Sequence, residues 1–192
     1  MVFDRTCAAL SRAWQAGGLL YSALGRLDAR QGVSSWPEAL TWLSEVRAGQ
    51  PVEEIQFWGH GDWGSIRVAD SKLDVGALEP GHEWNPVLAR IRDRMAGSDA
   101  LWWFRTCETF GRAEGHEFAR AWASFFNCRA AGHTYRIAAW QSGLHSLRPG
   151  DAPHWSIDEG VPEEPTPRKA LWSSCGAPNT IHCLRGRIPP SY

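Results

Sequence analysis

The stretch EIQFWGHGDWG, residues 54–64, begins as an apolar strand and ends in a glycine-flanked histidine. Ile55, Phe57 and Trp58 read as a strand buried in a sheet, and Gly59, Gly61 and Gly64 stop it with a sharp turn. His60 therefore stands where a strand gives way to a loop. In an open parallel α/β sheet, ligands bind outside the carboxyl ends of the strands, so this is a place for chemistry rather than for packing.

A second stretch has the same form. ALWWFRT, residues 100–106, is an unbroken apolar run of the kind expected when a strand is buried on both faces, and it delivers Cys107. If the two strands are neighbours, their axes lie about 5 Å apart and the side chains beyond them converge. The pair is then a base and a thiol: thiolate is the nucleophile, and an imidazole beside it takes or returns the proton. An adjacent imidazolium also predicts a thiolate that forms at lower pH than in a free cysteine. Without a side chain, Gly61 brings its amide close to a substrate carbonyl, where it and the Cys107 amide act as an oxyanion hole.

Outward from these strands, the periodicity predicts a helix over about 4–16 and a short strand at GLLYSAL, 18–24. A helix follows from Ser35 and Glu38, which have capping-box spacing, with Pro37 in its first turn and Gly49 beyond its end. Half-exposed SIRVA (65–69), a helix from Asn85, a helix over 113–126 and a strand at TYRIAAW (134–140) complete the order. Such alternation predicts an α/β fold, a three-layer sandwich with a mainly parallel sheet. The core spans 1–142. Residues 143–192, rich in Pro, Gly and charge, read as an ordered extension packed on the same domain, because Trp155, Ile157, Trp172 and Ile181 are not residues of a disordered tail.

Composition narrows the function. The 192 residues fit one domain, and 43% apolar with 21% charged residues is globular rather than disordered. With a net charge of −1 and no basic run, nucleic acid is not an expected partner. No stretch approaches a membrane span, and five irregularly spaced cysteines argue for reduced thiols in a cytoplasm, although Cys175 and Cys183 have the option of pairing. Most of the twelve tryptophans are expected in the core rather than in a ligand groove. Ser142 lacks the frame of a nucleophile elbow, which disfavours a serine hydrolase. Zinc held by His60, Cys107 and His145 is a weaker reading, since no fourth ligand is placed to complete it.

The sequence resembles the caspase-like cysteine peptidases, which include caspases, legumain, clostripain, gingipains and separase, and within them an uncharacterised bacterial group. The matches are His60-Gly61, Gly64, Cys107, and Gly115 with Phe118, and they cover about residues 18–142. His60 and Cys107 are 47 residues apart, against roughly 50 in the family. The resemblance implies a His60–Cys107 dyad that hydrolyses a peptide bond through a thioester, with an oxyanion hole from the Gly61 and Cys107 amides and no cofactor or metal. Asp62, Trp63, Arg105 and Glu108, beside the dyad, are candidate substrate contacts. So are Gln141, Ser142 and His145, after the last expected strand. Arg105 and Glu108 have no counterpart in the family. The partner implied is a peptide or protein substrate; the competing reading is a catalytically silent caspase-like module that binds a protein.

Overall fold

A computed structural model of the protein describes residues 1–163 and 169–192. Its centre is a six-stranded sheet built from β1 (Val2–Asp4), β2 (Gln31–Val33), β3 (Glu54–Trp58), β7 (Leu101–Arg105), β8 (Arg129–His133) and β10 (Leu144–Leu147). The spatial order is β10-β8-β7-β3-β1-β2, and every neighbouring pair is parallel except β10 with β8. Sequence order runs outward in both directions from β1, so β1 and β3 flank a switch in topology, and the chain crosses the sheet through α1 (Ser11–Ala23), α2 (Trp36–Glu45), α3 (Asn85–Arg92) and α4 (Arg112–Phe126).

Alternation along the strands divides the core. Ile55 and Phe57 of β3 and Trp102 and Phe104 of β7 join Trp36 and Leu40 of α2, Leu88 and Ile91 of α3, and Phe118, Trp122 and Phe126 of α4. On the other side, Trp58 packs with Phe3 and Tyr21 of α1, while Trp103 packs with Leu144 and Ile181. The predicted cap of α2 is present: the Ser35 hydroxyl accepts from the Glu38 amide at 3.3 Å.

Two elements differ from the periodicity. GLLYSAL is the end of α1, and the first strand is the shorter VFD segment at residues 2–4. Gly17 and Gly18 read as a helix stop, yet they lie inside the helix because it passes close over the sheet. A Cβ on Gly17 would meet the Trp58 ring at 2.7 Å. Likewise, TYRIAAW is largely loop, and the strand is the preceding RAAGH. Small side chains there leave room for the Phe110 ring, which a Cβ on Gly132 would meet at 2.5 Å, so the strand carries little hydrophobic signal.

The chain after residue 143 is part of the fold. It supplies β10 to the sheet, and β11 (Ile181–His182) pairs with β9 (Trp140–Gln141). Trp155 is only 6% exposed, its indole N–H donating to the Phe110 carbonyl at 3.0 Å and its ring stacked on Phe110 and His145. Trp172, expected inward, is 56% exposed: its ring lies under the Arg136 guanidinium at 4.2 Å instead of entering the core. All five cysteines are free thiols. Among the described residues no helix is long and apolar enough to cross a membrane.

Candidate active site

β3 and β7 are adjacent and parallel, in register up to Trp58 opposite Arg105. His60 and Cys107 each lie two residues beyond that last pair, at the carboxyl edge of the sheet. His60 opens a three-stranded antiparallel meander of β4 (His60–Asp62), β5 (Ser65–Val68) and β6 (Ser71–Asp74). Cys107 lies in the loop between β7 and α4.

The meander is fastened to that loop. The Gly64 amide donates to the Thr109 carbonyl at 3.0 Å, and the Thr109 hydroxyl reaches the Ser65 carbonyl at 3.4 Å and the Thr106 hydroxyl at 2.6 Å. Gly61 sits against the same turn: a Cβ there would fall 2.9 Å from the Thr106 Cβ and closer still to the Cys107 carbonyl oxygen. Gly115 plays the matching part on α4, where a Cβ would come within 2.7 Å of the Phe110 Cα. These glycines are needed for close approach of backbones, which sets the histidine segment directly against the cysteine segment.

The thiol is held by a residue the sequence did not mark. Cys107 Sγ accepts from the Ile137 amide at 3.4 Å and points its proton at the Ile137 carbonyl at 3.9 Å. Burial pushes its pKa up, the Glu108 carboxylate adds to the rise, and the Ile137 amide and Arg136 oppose it. The expected lowering by His60 is therefore not found: the resting group is a thiol. Among the described hydrogen bonds none joins it to His60, whose ring meets the edge of Trp14 at a centroid distance of 5.5 Å.

Two carboxyl groups flank the thiol. Glu108, next to it in sequence, adopts a left-handed backbone (φ 51°) that is rare outside glycine, and its amide donates to the Tyr135 carbonyl at 2.9 Å. Its side chain is 7% exposed, and among the described residues no donor reaches Oε2. Burial, then the charge of Asp62, raises the Glu108 pKa to about 7 against the pull of Lys169, Arg136 and Arg67. Asp62 accepts from the Trp63 amide at 2.9 Å through Oδ1 and from the Lys169 ammonium through Oδ2. Trp63 lies under the Arg112 guanidinium at 5.0 Å.

The remaining candidates serve the fold. Arg105 is buried between the rings of Trp58 and Trp103, at 4.7 and 4.5 Å, and donates to Tyr21 Oη at 2.9 Å, to Gln141 Oε1 at 2.9 Å and to the Cys183 carbonyl. Its guanidinium is thereby committed, together with Gln141, to holding the C-terminal segment. The Ser142 hydroxyl bonds Thr180 at 2.7 Å, and buried His145 bonds Glu159 at 2.7 Å, with Glu159 also accepting from Thr134 at 2.7 Å. Asp158 is exposed. Among the described residues no group of three His, Cys, Asp or Glu side chains is arranged to hold a metal ion.

Sequence reasoning passed over Trp14, Arg136, Ile137 and Lys169. Trp14 carries an apolar helix signal, Ile137 acts through its backbone, and Arg136 and Lys169 lie in segments whose pairing is set by tertiary contacts. A cleft of about 980 Å³ lies at the other end of β3, lined by Glu54, Arg94 and Arg187 among others, and none of the candidate residues borders it. No protein-family model, curated protein or solved structure matches this chain.

Proposed function

We propose that the chain is a caspase-like cysteine peptidase with a three-layer arrangement, in which His60 and Cys107 form the catalytic dyad. The observation that carries this reading is the register: adjacent parallel strands deliver a His-Gly and a Cys to the same edge, two residues past the same rung. Because the resting thiol is protonated, attack is base-assisted. His60 removes the Sγ proton as sulfur adds to the scissile carbonyl, the Gly61 and Cys107 amides stabilise the oxyanion, and the imidazolium returns the proton to the leaving amine. Water, with His60 again as base, then hydrolyses the thioester. Five free thiols fit a reducing cytoplasm of a bacterial cell.

A silent protein-binding module is the second reading, and the hold of Ile137 on the thiol favours it. The two separate on a peptide library made by digesting a whole proteome, with new termini mapped by mass spectrometry. Cleavage by the wild type that is lost in Cys107→Ala and in His60→Ala, with circular dichroism unchanged, supports the peptidase. Identical cleavage by all three proteins, or none by the wild type, leaves the module.

A further inference from the structure

Resting on the peptidase reading, we propose that Asp62 and Glu108 form the subsite for a basic side chain of the substrate, and that Lys169 fills this subsite in the resting chain. The two carboxyl groups approach from the two segments that also carry the dyad, Asp62 from the histidine meander and Glu108 from the residue after Cys107. They are close enough for the charge of one to resist ionisation of the other. One ammonium, that of Lys169, already bonds Asp62, and Glu108 Oε2 retains its full acceptor capacity among the described residues.

The segment carrying Lys169 runs as an extended strand would. The Arg136 amide donates to the Leu171 carbonyl at 2.9 Å, and the Ser173 amide donates to the Arg136 carbonyl at 2.8 Å. Trp172 thereby forms a parallel bridge with Arg136, whose neighbour Ile137 holds Cys107 Sγ. A lysine thus reaches the carboxylates from an extended backbone laid beside the thiol, which is how a substrate lysine would arrive. The Lys169 side chain is 50% exposed, and an exposed ion pair is worth only about 0–1 kcal/mol, so an incoming cation displaces it readily. The other nearby cations are committed differently: Arg136 lies over Trp172, and Arg67 is on exposed β5 surface.

Binding and cleavage test the proposal separately. Nα-acetyl-lysinamide is titrated into 15N-labelled wild type and Lys169→Ala, with Nα-acetyl-norleucinamide as the uncharged control. The expected result is that lysinamide, and not norleucinamide, shifts the Gly61, Asp62 and Glu108 amides. Removal of the internal competitor should tighten binding about tenfold if Lys169 occupies the subsite nine-tenths of the time. Asp62→Asn and Glu108→Gln should each weaken it. Absence of a lysinamide-specific shift in Lys169→Ala overturns the proposal, whatever the cleavage assay shows. Conversely, library cleavage that depends on Cys107 yet shows no enrichment of Lys or Arg before the cut overturns the subsite while the peptidase stands.

Discussion

Replacing Gly61 by alanine tests how the meander and the cysteine loop are joined. The new Cβ would lie 2.9 Å from the Thr106 Cβ, with the Cys107 carbonyl oxygen closer still, whereas carbon atoms pack at about 3.5–4.0 Å. Relief needs well over half an ångström of movement from backbone tied by the 3.0 Å bond from Gly64 to Thr109. Overpacking of this kind costs about 1–3 kcal/mol. In a chain of this size that corresponds to a fall in melting temperature of roughly 2–12 °C. Displacing reacting groups by about 1 Å costs on the order of a hundredfold in rate, so peptide cleavage should fall by about that factor. The assay is urea denaturation alongside library cleavage, with Gly81→Ala as the control because a Cβ there meets nothing within 4 Å. A Gly61→Ala protein with the midpoint and cleavage rate of Gly81→Ala would mean that the two segments are not packed backbone to backbone.

Trp155→Ala should destabilise the protein by about 3–5 kcal/mol, since it removes a ring stacked between Phe110 and His145; an unchanged urea midpoint would show the extension to be dispensable. Glu108, held near pKa 7 by burial against an ordinary 4.5, keeps in the folded state a proton that the unfolded chain releases. Its contribution is full below pH 4.5 and is lost as pH rises through 7, so the urea midpoint of Glu108→Gln relative to wild type should rise between pH 4.5 and 7.5. A constant difference would contradict this. Burial holds His133 neutral, with its pKa lowered from 6.5 to about 3, and its contribution is present above pH 6.5 and fades as pH falls toward 3. His133→Gln should flatten the acid limb of the stability profile, and an unchanged limb would argue against it.

The strands that carry His60 and Cys107 were legible because each is an aromatic-rich apolar run cut off by turn residues, too short for a buried helix and of the right length for a buried strand. β1 was not, because three residues in the middle of a sheet gain their stability from neighbours that local sequence does not show. Gly17 and Gly18 misled for a related reason: a glycine inside a close-packed helix and one that ends a helix look alike until the Trp58 ring is in place. At the site, the dyad's position followed from strand ends, but the state of the thiol did not. Its protonation is set by burial and by the Ile137 backbone, and neither leaves a side-chain signature. Arg105 and Gln141 are polar residues near the nucleophile in sequence or topology, yet alternation turns Arg105 to the Trp103 side of the sheet, where the two satisfy each other.

Covalent trapping interrogates the dyad itself. A pool of peptidyl acyloxymethyl ketones with every side chain represented at the position next to the ketone is incubated with wild type, Cys107→Ala and His60→Ala, and adducts are mapped to individual cysteines. A His60–Cys107 dyad should give one dominant adduct on Cys107 in the wild type, none at that position in Cys107→Ala, and a large selective loss in His60→Ala while the fold is retained. Labelling confined to Cys175, the exposed thiol, or Cys107 labelling indifferent to His60, would contradict it.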